Sequence, residues 1–154
     1  MESELNLKIH QVEPLQPSTV SAYRMIAFYA NHAPGLGALL YAIERDGRDI
    51  FYGTDTTILF EETWQAFHQD KMRFDLVVLD HTYGPEQPGS DNHLNTHQVS
   101  EHTKRLREGG ILKDNGRVFA THIAHEGNPV HAELVEFASQ HGYEIAYDSL
   151  RITV

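Results

Sequence analysis

Cysteine, long apolar runs and basic residues are absent or scarce in this sequence. With no cysteine among its 154 residues, disulfide bonds, thiolate zinc sites and cysteine nucleophiles are excluded. No segment approaches the roughly 20 consecutive apolar residues of a membrane helix. The opening stretch, Met1–His10, is charged where a signal peptide has its apolar core. We therefore expect a soluble, cytoplasmic protein with no membrane partner.

The charge balance is acidic. Lysine and arginine total 12 against 22 for aspartate and glutamate, which gives a formal net charge of −10. Such a surface opposes a polyanionic backbone, so nonspecific nucleic-acid binding is not expected. The charge fits an acidic domain that binds a protein partner, but ordinary solubility explains it equally well. The length corresponds to a single domain, residues 1–154.

The chain divides into a strand-rich first half and a helix-rich second half. In the first half, β-branched and aromatic residues recur between turn signals without a helical period, and Asp46-Gly47 is a strong hairpin signal. In the second half, apolar residues three and four apart show the helical period. The predicted strands are Leu5–Val12, Tyr23–Tyr29 (after a Pro-Ser linker), Ala38–Glu44, Asp49–Tyr52, Phe74–Leu79, Arg117–Ala120, Tyr143–Tyr147 and Leu150–Val154, and the predicted helices are Leu59–Gln69, Thr96–Glu108 and Val130–His141.

This order of elements predicts the α/β class, with a mixed sheet and helices layered on one face. A sheet with helices on one side has a second apolar face that needs cover. No element of the predicted order supplies that cover. We therefore expect either a homodimer or a missing half of the fold.

Polar residues that can bind metal follow four of the predicted strands. Histidine is abundant, with 11 copies, and without cysteine any metal must bind to imidazole or carboxylate groups. Open α/β sheets hold their sites at strand ends, so we expect these four places to converge. They are Asn31-His32, Gly53–Thr56, Asp80-His81 with the loop to Asn92-His93, and Thr121–His125.

Most of these positions also have a purely structural interpretation. Asn31-His32 can shape a turn, and Asp55 can cap a helix or bond to nearby amides. His93 and His97 have the i, i+4 spacing of a chelating pair, or else Asn92–Asn95 simply begin the helix. For the isolated residues, both interpretations stay open.

Other candidates differ in how well the sequence supports them. His122 has a better case, because an imidazole directly after an apolar run needs a partner if it is buried. Gly35-Leu36-Gly37 does not fit a phosphate loop, because a strand rather than a helix follows it. No GxSxG or SxxK setting supports a nucleophilic serine or lysine. His125 and His131 are either neighbours of His122 or surface residues, and His68, His102 and His141 are expected on a solvated surface.

Five segments of the chain together carry a family resemblance. They are Asn31-His32, Tyr52–Thr56, Val77–Gly84 with His93–Asn95, Ala120–His125 and the closing Gly142–Leu150. Together they resemble the metallo-β-lactamase fold over nearly the whole chain. Within that fold the sequence is most similar to bacterial metal-dependent phosphodiesterases that open cyclic ribose phosphates, and more distantly to tRNA 3′-processing nucleases.

The resemblance implies roles for four residues. His32 corresponds to an isolated histidine ligand, Asp55 to an aspartate that bridges two metals, and His122 to the last histidine ligand. His93 corresponds to a histidine near the scissile phosphate, which binds that phosphate or acts as a general acid. The implied cofactor is a divalent metal, zinc or manganese, and the implied substrate is a small-molecule phosphoester.

The resemblance extends over only about half of the family's αββα domain. Complete members carry an HxHxDH signature in their N-terminal half, and this sequence contains none. We therefore expect residues 1–154 to be the C-terminal half of such a sandwich, to hold metal weakly or not at all, and to be a poor hydrolase alone. The alternative is a noncatalytic homodimeric binding or assembly module.

Overall fold

The computed structural model describes residues 9–33 and 35–154. Over these residues the chain forms one seven-stranded sheet and three helices. No helix in this part of the chain is long and apolar enough to cross a bilayer. The elements are β1 (Pro17–Val20), β2 (Tyr23–Tyr29), β3 (Leu39–Arg45), β4 (Arg48–Gly53), α1 (Glu61–Gln69), β5 (Phe74–Asp80), α2 (Thr96–Glu108), β6 (Leu112–Thr121), α3 (His131–Gln140) and β7 (Glu144–Ile145).

The first four strands form an antiparallel meander. β2 pairs with β1 and with β3, and β3 pairs with β4. Asp46 and Gly47 close the β3–β4 hairpin, and both have positive φ angles, 53° and 77°. Two such residues are typical of the type I′ turn, whose twist matches that of the flanking strands. The hairpin predicted from Asp-Gly is therefore confirmed.

From β4 onwards the sheet is parallel, and one helix lies between each two successive strands. β4, β5, β6 and β7 pair in sequence order. Crossovers between parallel strands are right-handed in about 98% of cases. Successive crossovers in one direction therefore place the three helices on the same face. The predicted α/β class, with a mixed sheet and helices on one face, is confirmed.

Aromatic side chains fill the space between α1 and the sheet. Phe51 of β4 packs edge-on against Phe28 of β2 and Phe67 of α1, with ring centroids 5.9 and 5.1 Å apart. Trp64 of α1 packs against Phe67 at 5.9 Å. Each of the four is at most 2% exposed. Full burial of such a side chain contributes roughly 1.5–3 kcal/mol, so this cluster holds α1 firmly against β2 and β4.

The opposite face of the sheet is apolar and partly exposed. Its side chains alternate with the core residues along each strand, and Tyr41 pairs with Tyr52 and Ile43 with Ile50 across β3 and β4. Tyr52 is 47% exposed, and its neighbour Val78 on β5 is half-buried. This surface, formed by Tyr41, Ile43, Ile50, Tyr52 and Val78, is termed the open face.

Two strand predictions and one linker prediction differ from the structure. Leu150–Val154 alternates like a strand but forms none, because within the described residues no neighbouring strand supplies ladder hydrogen bonds. The Pro-Ser segment predicted as a linker contains β1, where Pro17 opens an edge strand and its missing N–H does no harm. Of the predicted strand Leu5–Val12, residues 1–8 fall outside the described part, and residues 9–12 are not in a strand.

His102 is buried, although its place in a helical pattern predicted a solvated surface. It is only 7% exposed, because α1 covers this side of α2 and the Trp64 ring lies 5.5 Å from the imidazole. His102 Nδ1–H donates to the carbonyl oxygen of Gln98 at 2.8 Å. Its Nε2 accepts the Leu59 N–H at 3.2 Å, so His102 ties α2 to the segment that precedes α1.

We expect His102 to lower the free energy of unfolding in acid. Burial lowers the pKa of His102 below its ordinary value of 6.5, and the nearby Arg105 guanidinium adds to the effect. Its stabilising contribution is complete above pH 6.5 and is lost as the pH falls toward the lower pKa of the folded state. The loss reaches about 1.4 kcal/mol for each unit that separates the two pKa values.

His102→Gln removes this titration while keeping a polar side chain at the same place. Urea unfolding between about pH 7.5 and pH 5 should therefore show a weaker pH dependence for the variant than for the wild type. Identical pH profiles for the two proteins would show that His102 does not cause the acid sensitivity.

Candidate metal centre

Four polar strand ends meet at one edge of the sheet. β2 and β4 are both antiparallel to β3, and β5 and β6 are parallel to β4, so these four strands end at the same edge. The residues that follow them include His32, Asp55 and His122, and β5 itself ends on Asp80. The loop after β5 adds His93. The convergence expected at this edge is present in the structure.

Three histidines surround the carboxylate of Asp55. His32 Nε2, His93 Nδ1 and His122 Nε2 lie 3.6, 3.7 and 3.8 Å from Asp55 Oδ1. The centroid of the His93 ring is 5.0 Å from that of His32 and 5.2 Å from that of His122. The Asp55 side chain is 53% exposed. The cluster is therefore open to solvent on at least one side.

Asp80 holds this cluster together, whereas the sequence indicated for it only a possible part in a metal site at a strand end. Its carboxylate is fully buried and accepts the backbone N–H groups of Asp55, Thr82 and Leu94 at 3.0–3.1 Å. It also accepts the Thr82 hydroxyl at 3.0 Å and His93 Nδ1–H at 3.1 Å. A buried carboxylate is stable only with such donors. The acid that closes the apolar run Phe74–Leu79 was the available sequence signal.

Asp55 and His122 both have a left-handed backbone. Their φ angles are 60° and 62°, in a region that residues with a Cβ atom rarely occupy. Conformations of this kind cost on the order of 1–3 kcal/mol each and cluster at functional sites. The chain turns sharply at both positions, one residue after β6 for His122 and two residues after β4 for Asp55, which brings both side chains to the same edge.

Hydrogen bonding decides which nitrogen of His32 carries the proton. His32 Nδ1 lies 3.1 Å from the carbonyl oxygen of Asn92. A carbonyl can only accept, so the neutral ring is protonated at Nδ1. Asn92 also accepts the Ala33 N–H through its side-chain oxygen at 3.1 Å. His32 Nε2 therefore presents a lone pair, not an N–H group, to the Asp55 carboxylate.

His93 is oriented by Asp80. The contact of 3.1 Å between His93 Nδ1 and Asp80 Oδ2 is a hydrogen bond from the ring to a carboxylate. The Tyr83 ring lies edge-on to His93, with centroids 5.9 Å apart. The His93 side chain is 17% exposed. Because Nδ1 is engaged by Asp80, Nε2 is the atom of this ring that remains for other partners.

His81 belongs to the core rather than to the cluster. Its side chain is fully buried, and Nε2 lies 3.5 Å from the Tyr143 hydroxyl oxygen. Burial lowers the pKa of His81 and raises the pKa of Tyr143 to about 12. Both side chains are therefore neutral at neutral pH, and His81 contributes packing where the sequence alone left its role open.

His97, His125 and His131 lie outside the cluster of histidines around Asp55. His97 is on α2, and the cap of that helix is Asn95, whose side chain accepts the Gln98 N–H at 2.9 Å. The i, i+4 pair of His93 and His97 is therefore not on one helix, and of the segment Asn92–Asn95 only Asn95 takes part in the helix start, as its cap. His125 and His131 line a cavity of about 510 Å³ next to the segment that follows His122.

The donor set fits a divalent cation. Asp55, Asp80, His93 and His122 each bring one possible ligand atom within 4.8 Å of the others, and Asp80 is the member whose oxygens already accept hydrogen bonds. His32 is next to this group, because its Nε2 atom lies 3.6 Å from Asp55 Oδ1. A nitrogen lone pair and a carboxylate oxygen repel each other at short range unless a proton or a cation lies between them. Imidazole and carboxylate groups suit zinc and manganese alike.

Comparison with known families identifies one match. The family model described as the beta-lactamase superfamily domain matches residues 1–123 of the chain. This range contains every residue of the cluster described above. No curated protein sequence matches the chain.

Solved structures share the fold at low sequence identity. The metallo-beta-lactamase fold protein YhfI from Bacillus subtilis is 18% identical with a TM-score of 0.62, over 87% of this chain and 50% of YhfI. Igni18, a metallo hydrolase from the archaeon Ignicoccus hospitalis, is 12% identical with a TM-score of 0.61, over 94% of this chain and 59% of Igni18. CmlA, a diiron beta-hydroxylase from Streptomyces venezuelae, is 12% identical with a TM-score of 0.60, over 90% of this chain and 33% of CmlA. The chain thus spans only part of each structure that it resembles.

Proposed function

The chain belongs to the beta-lactamase superfamily, and from that membership we propose that it is part of a metal-dependent hydrolase that cleaves small-molecule phosphodiesters. The observation that carries the proposal is the position of three imidazole nitrogens within 3.8 Å of one carboxylate oxygen of Asp55. A purely structural cluster would direct N–H groups at that oxygen. In its neutral form, His32 instead directs a lone pair at it, which favours a cation between them.

His32, Asp55 and His122 are the proposed metal ligands. Asp55 Oδ1 lies 3.6 Å from His32 Nε2 and 3.8 Å from His122 Nε2, and in this proposal the Asp55 carboxylate would bind both of two cations. Bound divalent cations would supply an activated water and would stabilise the negative charge that develops on the phosphate oxygens. The His122 side chain is 45% exposed, so substrate can approach from solvent.

His93 is the proposed contact to the substrate phosphate. Because Asp80 accepts its Nδ1–H, the ring has a fixed orientation and acts through Nε2. In the imidazolium form, Nε2–H can donate a hydrogen bond to a phosphate oxygen or transfer a proton to the leaving oxygen. Asp80 touches no substrate in this scheme and acts as a positioning residue.

We further propose that an HxHxDH signature from another polypeptide segment completes the site. The sequence contains no such motif, and the matches cover 50% of YhfI and 59% of Igni18. The open face offers an apolar surface on which that segment can pack. By itself, the chain is then a weak metal binder and a poor hydrolase.

Cation titration tests the metal centre. Zinc and manganese, titrated separately by calorimetry, should bind the wild-type chain weakly but measurably. Asp55→Asn should reduce the affinity by more than the about 10–100-fold loss that follows changes outside the ligand set, because a charged ligand is lost. Asp114→Asn is the matched control, since the Asp114 side chain is 96% exposed, and it should leave the affinity unchanged.

Two results of this experiment would count against the proposal. If neither cation binds the wild-type chain, or if Asp55→Asn binds as well as the wild type, the assigned centre is wrong. Hydrolysis of bis(p-nitrophenyl) phosphate should stay near background for the chain alone. Rapid cation-dependent turnover would show that the site is complete without HxHxDH.

A noncatalytic homodimer is the second candidate, and the open face is the observation that favours it. Tyr52 is 47% exposed in the middle of that apolar surface, and a second copy can cover it. Sedimentation equilibrium distinguishes the candidates when combined with the titration. A dimer that binds no cation supports the module, whereas a monomer that binds zinc contradicts it.

A further inference from the structure

Thr82 lies where the hydrogen bonds around Asp80 meet those of His122. Its backbone N–H and its hydroxyl both contact Asp80 Oδ1 at 3.0 Å. The same hydroxyl oxygen lies 2.8 Å from His122 Nδ1. Thr82 is 8% exposed, so these bonds are largely protected from water.

The direction of these two bonds follows from the number of protons. A hydroxyl group has one proton to donate. Asp80 Oδ1 is a carboxylate oxygen that also receives the N–H groups of Thr82 and Leu94, so it acts as an acceptor and takes the hydroxyl proton. The hydroxyl oxygen then accepts Nδ1–H from His122. In the neutral ring, His122 Nε2 is then left with a lone pair, 3.8 Å from Asp55 Oδ1.

The loop after β6 also forms hydrogen bonds with the backbone of Thr82. Its carbonyl oxygen accepts a hydrogen bond from Asn128 Nδ2 at 2.8 Å, and the same amide nitrogen donates to the carbonyl oxygen of Ala124 at 2.9 Å. The Ala124 N–H also lies 3.3 Å from the Thr82 carbonyl oxygen. These hydrogen bonds join the loop after β5 to the loop after β6 next to the contact between Thr82 and His122.

We propose that Thr82 is a positioning residue that fixes the tautomer and the ring orientation of His122. The buried Asp80 carboxylate then sets the protons of two histidines, directly for His93 and mainly through Thr82 for His122, because His122 Nδ1 lies 2.8 Å from the Thr82 hydroxyl and 3.5 Å from Asp80 Oδ2. The functional role of this tautomer rests on the proposed metal centre, because a histidine binds metal through a nitrogen with a free lone pair. The tautomer itself exists without metal and can be measured alone.

Nitrogen-15 NMR of the histidine rings in the metal-free protein tests the proposal. At about pH 8, above the ordinary histidine pKa, the His122 signals should be those of an Nδ1–H imidazole. Thr82→Val keeps the side-chain shape and removes the hydroxyl, so Nε2–H should become the main tautomer. Thr82→Ser restores the hydroxyl and should restore the wild-type signals.

Thr103→Val is the matched control for removal of a buried hydroxyl. Thr103 is 1% exposed, and its hydroxyl has no hydrogen-bond partner among residues 9–33 and 35–154. This variant should leave the His122 signals unchanged. A His122 that is protonated at Nε2 in the wild type, or that is unchanged in Thr82→Val, would overturn the proposal. If Thr82→Val does not fold, the wild-type spectrum still tests the proposed hydrogen-bond direction, because an Nε2–H ring in the wild type would overturn it.

Zinc affinity supplies a second readout. Thr82→Val should weaken zinc binding by about 10–100-fold, as other changes to residues behind a metal ligand do, while Thr82→Ser and Thr103→Val should stay near the wild-type value. Equal affinity in the wild type and Thr82→Val would overturn the positioning role. A wild-type chain that binds no zinc would contradict the proposed function, but the NMR result would still decide the tautomer.

Discussion

Asp80→Asn is expected to lower the free energy of unfolding by about 2–6 kcal/mol, since each buried donor left without an acceptor costs about 1–3 kcal/mol. Asparagine has one oxygen where aspartate has two. In either orientation of the amide, at least two of the donors from Asp55, Thr82, Leu94 and His93 face an NH₂ group. The carboxylate of Asp80 is fully buried, so water cannot replace the lost acceptor.

Urea unfolding at neutral pH measures this loss. The exposed variant Asp114→Asn makes the same chemical change at the surface and should stay within about 0.5 kcal/mol of the wild type. Zinc affinity should fall together with stability in Asp80→Asn, because the backbone of Asp55 and the ring of His93 lose a shared anchor. If Asp80→Asn unfolds at the wild-type urea concentration, the hydrogen bonds around Asp80 do not hold the loops as described.

Gly84→Ala is expected to cost about 3 kcal/mol, the upper end of the usual range for overpacking. A Cβ atom on Gly84 would lie 1.8 Å from the carbonyl oxygen of Gly127 and 3.1 Å from the Cα atom of Asn128. Both obstacles are backbone atoms, so no side-chain rotation can relieve the clash. The loops after β5 and β6 would have to separate, and the bond from Asn128 to the Thr82 carbonyl oxygen would be strained.

Gly110→Ala provides the comparison for this prediction. Gly110 has a φ of 65° and nothing within 4 Å of an added Cβ, so alanine there meets only the left-handed backbone cost of about 1–2 kcal/mol. Thermal or urea unfolding of both variants should rank Gly84→Ala as the less stable. The opposite ranking would mean that the contact between Gly84 and Gly127 is looser than the structure indicates.

The sequence predicts local elements well because their causes are local. The type I′ turn needs only Asp46 and Gly47, and the apolar runs Phe74–Leu79 and Arg117–Ala120 mark the buried strands β5 and β6. The parallel directions of β4, β5 and β6 follow from the helices between them, which is why the metal-competent strand ends could be expected at one edge. The capping box of α2 likewise depends on Asn95 and Gln98 alone.

The role of Asp80 could not be predicted from its surroundings in the sequence. Three of its five hydrogen-bond partners come from Asp55, His93 and Leu94, which are 13 to 25 residues away in the chain. Thr82 is close in sequence, but its hydroxyl matters because His122, 40 residues further on, comes to lie beside it. His102 was assigned to the surface for the same reason, since the helical period does not reveal which face α1 covers.

At Asp55 and His122, the left-handed backbone lowers the stability of the fold, while the side chain supplies a proposed metal ligand. Glycine adopts that conformation without the steric cost that a side chain meets, so glycine at either position would relieve strain while deleting a proposed ligand. A laboratory selection for heat resistance alone would therefore tend to enrich sequences that have lost these ligands. Any engineering of this domain for robustness has to hold residues 55 and 122 fixed and look for gains elsewhere.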